Sequence, residues 1–234
     1  MKNNIFILKK KIKETDDVVT LKFLPEKGKI FSFFAGQFVM VELINNELSD
    51  LKRAYTISSP PRENFLSITV KKIGRVSGAL HDLKTGDKIK TNEPQGFFYP
   101  NNGAEELVFL AGGVGITPFY SIIKDFSQKG LDKNIHLLYS NKTKNDIVFF
   151  KELGKLSSEF RKFKITHFLT REKIKHPAIK EFERINSESL KKHLKFFDKK
   201  HYFICGPVGF VNGLWAELKK IGVKEDNIFT EAFY

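Results

Sequence analysis

Leu107 to Pro118 reads LVFLAGGVGITP, and this stretch decides the fold. Leu107–Ala111 is an unbroken apolar run, the pattern of a strand buried on both faces. Gly112, Gly113 and Gly115 follow, and a helix is predicted to open at Thr117-Pro118, with Pro118 in its first position. Glycines let a backbone turn tightly and come close to a pyrophosphate, while the unpaired N–H groups and dipole of a helix start favour the anion. A glycine-rich turn also occurs where nothing binds. Here a strand stands before it and a helix after it, which is the context a nucleotide site needs.

Outward from this point, strand and helix alternate. Asn134–Tyr139, Lys164–Leu169 and His201–Cys205 are further compact apolar runs. Phe119, Ile122, Ile123 and Phe126 fall at helical spacing before Gly130, and Val211, Leu214, Trp215 and Leu218 repeat it between Pro207 and Gly222. The expected fold of this half is an α/β doubly wound parallel sheet. Upstream the rhythm differs. Ile5–Leu8, Val18–Phe23, Gln37–Leu43, Ala54–Ile57, Leu66–Val70 and Asp87–Thr91 alternate or are β-branched, with breaks at Pro25–Gly28, Pro60-Pro61 and Thr85–Asp87. Short strands so spaced predict an antiparallel β-barrel, with Val76–Leu83 as its one helix. The two-domain boundary is expected within Tyr99–Gly103, giving domains over 1–100 and 101–234.

At 234 residues the chain is long enough for two cores, and 41% apolar with 29% charged is ordinary for a soluble protein. No apolar run approaches the roughly 18–20 residues of a membrane span. The start, Met1 to Ile7, alternates like a strand and lacks the pattern of a signal peptide, so the cytoplasm is the expected compartment. The single cysteine, Cys205, rules out an internal disulfide and a cysteine-built zinc or iron–sulfur site; no metal is expected. A formal net charge of +13 suits an acidic partner or a nucleotide, but the lysines are scattered, and a solvated lysine-rich surface reads equally well. Nucleic acid is not expected, since no finger, RNP or helix-turn-helix pattern accompanies the charge.

Two shorter motifs lie in the barrel half. Arg53-Ala54-Tyr55-Thr56 occupies a strand end, where an arginine can pair with a phosphate and a tyrosine two residues on shares its face. Gly74-Arg75-Val76-Ser77 opens the predicted helix, a second anion-receptive start. Taken in order with Gly112–Pro118, Cys205-Gly206-Pro207 and the terminal Glu231-Ala232-Phe233-Tyr234, this series resembles the ferredoxin–NADP reductase superfamily over nearly the whole chain. The ending is similar to that of the compact bacterial ferredoxin/flavodoxin reductases.

The resemblance implies an FAD-binding barrel and an NAD(P)-binding doubly wound domain whose tail covers the flavin. It places Arg53 on the FAD pyrophosphate, Ala54 and Tyr55 against the flavin, and Thr56 toward flavin N5, where many members carry serine. Gly74, Arg75, Val76 and Ser77 would add pyrophosphate contacts. Gly112, Gly113, Val114, Gly115, Ile116 and Thr117 would cradle the nicotinamide dinucleotide, with Cys205, Gly206 and Pro207 beside the nicotinamide. From the residues alone, Cys205 reads rather as a buried strand position. Phe233, where many members have tyrosine, would cover the flavin, and Tyr234 would lean on its adenine side. Thr56, Cys205, Glu231 and Phe233 are the expected catalytic set, positioning cofactors that carry the chemistry themselves.

The function this implies is an FAD-dependent reductase that takes hydride from a reduced nicotinamide to flavin N5 and passes electrons singly to an acidic acceptor such as ferredoxin or flavodoxin. An electron-transfer subunit of a larger redox complex is the alternative. NADPH is expected over NADH, because Lys142, Thr170, Arg171 and Arg184 follow strands where a 2′-phosphate would be read, and the Ser140–Lys142 segment carries no carboxylate.

Overall fold

The computed structural model describes residues 4–44, 47–100, 106–131, 133–174 and 176–233. In the first half, β1 (Asn4–Lys13), β2 (Val18–Pro25), β3 (Phe38–Leu43), β4 (Arg53–Thr56), β5 (Leu66–Lys71) and β6 (Lys88–Thr91) form one antiparallel sheet in the order β4-β3-β6-β1-β2-β5. The sheet curls until its two edges meet. A bridge from Ile57 to Ile68 and a 2.8 Å bond from Ser58 N to Ser67 O close it into a barrel, which removes the exposed edges. Alternation puts Phe6, Leu8, Leu21, Phe23, Val39, Val41, Ile68 and Val70 inside, all fully buried. Helix α1 (Arg75–Asp82) packs its Val76 and Leu80 against that core.

The second half contains β7 (Glu106–Gly112), α2 (Ile116–Lys129), β8 (Asn134–Asn141), α3 (Phe150–Glu159), β9 (Phe163–Leu169), β10 (Ile179–Glu181), α4 (Ser187–His193), β11 (Lys200–Pro207), α5 (Val208–Lys220) and β12 (Ile228–Phe233). Its six strands are parallel in the order β10-β9-β8-β7-β11-β12. Two cores flank this sheet, one around Phe109, Phe119 and Phe203, the other around Leu110, Leu138, Tyr202 and Leu214. The chain leaves β7 toward β8 on one side and returns to β11 on the other. That reversal opens a crevice above the carboxyl ends of β7 and β11, where open α/β sheets place their ligands.

The helix after the glycines differs from expectation. A 3-10 turn, Gly113–Gly115, precedes α2, and Pro118 takes the third helical position instead of the first. The N–H groups of a helix's first turn have no intrahelical partner, so proline is tolerated throughout that turn. Trp215, expected with the apolar stripe of α5, is 36% exposed and shelters under the Lys219 ammonium, because Val211, Leu214 and Leu218 already complete the buried face. The expected domain boundary after residue 100 runs into 101–105, and Tyr234 ends the chain; both lie outside the described residues. Among the described residues no helix is long and apolar enough to cross a membrane.

The halves meet along α2. Phe98 inserts between Phe119 and Phe203, and Gly36 lies so close to the Phe98 carbonyl oxygen that a Cβ there would stand 2.1 Å from it. Ser121 Oγ donates 2.7 Å to Ser59 O, and Lys124 pairs with Glu63 at 2.7 Å.

Candidate functional site

Two cavities lie where the halves join. The first, of about 380 Å³, is lined on the barrel side by Arg53, Ala54, Tyr55, Thr56, Gly74, Arg75, Val76 and Ser77, and on the other by Val114, Thr117 and Phe233. The second, of about 300 Å³, lies over the crevice of the parallel sheet. Gly112, Gly113, Val114, Ser140, Lys142, Thr170, Pro207 and Phe233 line it. Lys71, Ile73, Val114 and Phe233 belong to both, so the two cavities adjoin.

The first cavity takes its shape from β4 and the start of α1. Pairing of β4 with β3 sets Tyr55 opposite Val39 and Thr56 opposite Phe38, leaving Tyr55 half-buried against the barrel core. Arg53 is exposed and, among the described residues, donates only to the neighbouring Lys52 carbonyl, at 2.8 Å. Helix α1 begins at Gly74 with no acidic residue in its first turn. A Cβ on Gly74 would meet nothing within 4 Å, so open space lies before the helix. Ser77 lines the cavity and also ties the turn together. Its hydroxyl accepts from Ile73 N and Gly74 N, each at 2.9 Å, and donates to Gly74 O, which makes it the brace of the turn.

The glycine turn after β7 is tightly braced. Tyr139 donates its hydroxyl to Gly113 O at 2.9 Å from a fully buried position. Gly112 and Gly206 face the ring of Phe210, which would lie 2.9 Å from a Cβ on either. Their small size therefore admits Phe210, while Gly113, whose Cβ would meet nothing, opens on the crevice. Gly115 and Ile116 are buried and line neither cavity.

Cys205 and Glu231 are neighbours across β11 and β12, with Ala111 on the other side of Cys205. Cys205 is fully buried, and burial, followed by the Glu231 charge, pushes its thiol well up. Burial likewise raises the Glu231 carboxyl to about 7, and its Oε2 has no hydrogen-bond partner among the described residues. Two strand positions further on in β12, Phe233 stands opposite Pro207 and reaches both cavities.

At the outer end of the crevice, Lys142 and Thr170 line the wall. Arg171 is exposed and outside that lining, though its N–H bonds Lys142 O at 2.9 Å, and Arg184 is exposed and lines neither cavity. Asp146 is a carboxylate on this wall that the Ser140–Lys142 segment did not reveal; it is tied to Thr143 N at 2.9 Å and Thr143 Oγ1 at 2.7 Å. Lys71 and Asp17, which no motif marked, form a 3.0 Å ion pair where the cavities adjoin.

The architecture and the paired cavities define a two-domain flavoprotein oxidoreductase. An oxidoreductase FAD-binding domain matches residues 5–99, and an oxidoreductase NAD-binding domain matches residues 109–214. The chain belongs to the ferredoxin–NADP reductase superfamily, whose cofactors are FAD and a nicotinamide dinucleotide. It is 31% identical over 242 residues to a flavohemoprotein of Bacillus cereus, covering 97% of this chain and 60% of that protein. It is 32% identical over 233 residues to a glycine betaine monooxygenase reductase subunit of Pseudomonas aeruginosa, covering 96% and 62%. The chain thus spans about 60% of the length of these curated relatives. In fold it matches the FAD/NAD-binding domain of a nitric oxide dioxygenase from Vibrio cholerae with a TM-score of 0.86 at 24% identity, covering 98% of each chain. A ferredoxin NADP+ reductase from Neisseria gonorrhoeae with bound FAD and NADP gives 0.83 at 22% identity, covering 100% and 98%.

The site suits both groups. Open space before the Gly74 helix start, flanked by Arg53 and Arg75, can take a diphosphate, and the open face of Gly113 can take a second.

Proposed function

We propose that this chain is a reductase that draws electrons from NADPH through FAD and delivers them to a redox partner protein. The single observation that carries the reading is the junction of the two cavities at Phe233, Val114, Ile73 and Lys71. Bound FAD supplies the conversion between the two-electron chemistry of a nicotinamide and the one-electron chemistry of an acceptor. The protein contributes binding and orientation. Arg53 and the α1 start hold the FAD diphosphate, Tyr55 offers a ring face, and the Thr56 hydroxyl stands on the same strand to orient the flavin edge. Phe233 screens the junction from water until a nicotinamide displaces it. Cys205 and Glu231 pair across β11 and β12 two positions before Pro207 and Phe233, where a carboxyl near neutrality can hold a proton.

Lys142 on the crevice wall, with Arg171 tied beside it by backbone, supports NADPH over NADH. The formal charge of +13 supports an acidic acceptor, ferredoxin or flavodoxin. A second reading, a reductase component within a larger redox assembly, is favoured by the 32% identity to a monooxygenase reductase subunit. Steady-state kcat/KM with NADPH and NADH, using an artificial acceptor, tests both readings. The first predicts turnover by the isolated chain and a preference for NADPH that Lys142→Ala diminishes. Equal use of both cofactors would overturn the NADPH assignment. Absence of flavin bleaching by either cofactor would overturn the reductase reading itself.

A further inference from the structure

Lys71 ends β5 at the point where both cavities adjoin, and the other three shared residues carry no charge. Its ammonium is held by Asp17 Oδ2 at 3.0 Å. Asp17 is anchored to the barrel: it lies in the turn between β1 and β2, its carbonyl accepts from Lys72 N at 2.8 Å, and its Oδ1 accepts from Thr15 Oγ1 at 3.0 Å. Burial pushes the Asp17 carboxyl up, but the hydrogen bond and charge of Lys71, with Thr15, more than offset this and hold it below its ordinary range. It is therefore an anion at neutral pH, set in the wall of the crevice that takes a dinucleotide.

We propose that Asp17 is an internal anion that holds Lys71 at the junction of the cavities and is exchanged there for the diphosphate of an entering nicotinamide dinucleotide. This rests on the crevice being the dinucleotide site. The two partners differ in a way that suits exchange. Asp17 has a short side chain with a second bond to Thr15, so it stays with the barrel, whereas the lysine stem has four rotatable bonds and can swing. The pair is also accessible, with side chains 32% and 46% exposed, so water can replace the bond while the ligand enters. In the free protein the pairing spares a half-buried ammonium from standing alone. Asp146, the other carboxylate on this crevice, accepts from Thr143 N and Thr143 Oγ1 through its Oδ2 and forms no ion pair among the described residues. Asp17 is thus a positioning residue that weakens binding by competing for Lys71.

The test is equilibrium titration of the FAD-loaded protein with NADP+ and, separately, NAD+, neither of which can donate electrons. Asp17→Asn is expected to tighten both by about two- to fivefold, the range for half-exposed charge pairs. The gain should be alike for the two cofactors because both carry the diphosphate, and Asp17→Glu should restore wild-type affinity. In a Lys71→Met background the same Asp17→Asn change should have less than half that effect. Weaker or unchanged binding in Asp17→Asn, or equal tightening with and without Lys71, overturns the exchange. If Lys71→Met alone leaves both affinities unchanged, the crevice assignment on which the exchange depends is itself wrong.

Discussion

Glu231 and Phe233 stand two positions apart on β12 and bring opposite physics to that strand. The Glu231 carboxyl titrates near 7 against an ordinary 4.5 because burial penalises its charge. The folded chain then binds more protons than the unfolded chain between about 4.5 and 7. Stability from this group is complete below about 4.5 and is lost as pH rises to about 7. Glu231→Gln, which keeps the shape and removes the titration, should raise the thermal midpoint at pH 8 relative to wild type while changing little at pH 4.5. A variant whose midpoint tracks wild type across that window would show that the carboxyl is not buried alone. Phe233 acts by occupancy. On the proposed reading the ring shared by both cavities moves before a nicotinamide reaches the flavin face, so Phe233→Ala should strengthen the charge-transfer band formed with NADP+ and narrow the gap between NADPH and NADH. An unaltered band and preference would reduce Phe233 to packing.

At the scale of elements, the strand–glycine–helix unit was legible because buried strand, small residues and amphipathic helix each leave a different periodicity. Gly115 shows how narrow its tolerances are. A Cβ there would stand 2.2 Å from Cys205 O, so the turn after β7 touches the backbone of β11. Gly115→Ala must part these strands, at roughly the 1–3 kcal/mol typical of overpacking. It should lower the denaturation midpoint and weaken NADP+ binding together; loss of neither would mean the turn yields freely. Other elements were not legible. Strand β1 runs to Lys13, but its apolar alternation stops at Leu8, where a bulge precedes Lys10 and exposed lysines follow. Helix α4 has seven residues and strand β10 three, too short for a period to declare itself. Lys71 and Asp17 belong to no motif, because their meeting depends on the pairing of β2 with β5, which sets Val18 opposite Lys71. Sequence spacing records neighbours along a strand, not partners across a sheet. The turn-bracing bonds of Ser77 were not legible for a related reason: a hydroxyl at a helix start serves a ligand or its own turn with the same letter.

For the whole molecule, the first cavity exists only while both halves hold their relative position, since its walls are Arg53–Thr56 on one side and Val114, Thr117 and Phe233 on the other. The bond from Ser121 Oγ to Ser59 O links these walls by the shortest covalent path: Ser59 lies three residues beyond Thr56, and Ser121 four beyond Thr117. Both residues are buried, at 0% and 2% exposure, so water cannot replace the lost donor. Ser121→Ala should therefore cost roughly 1–3 kcal/mol, the penalty for a buried acceptor deprived of its partner. That cost should fall on the seam and not inside either half. The expected signature is faster FAD loss on gel filtration and a broader, less cooperative thermal transition, with the secondary structure of both halves retained. Ser157→Ala provides the comparison, because Ser157 Oγ bonds Phe163 O at 3.3 Å wholly within the α/β half. That variant should lose stability without losing flavin. If the two variants release FAD equally, the seam does not set the width of the cavity, and the flavin is held by the barrel alone.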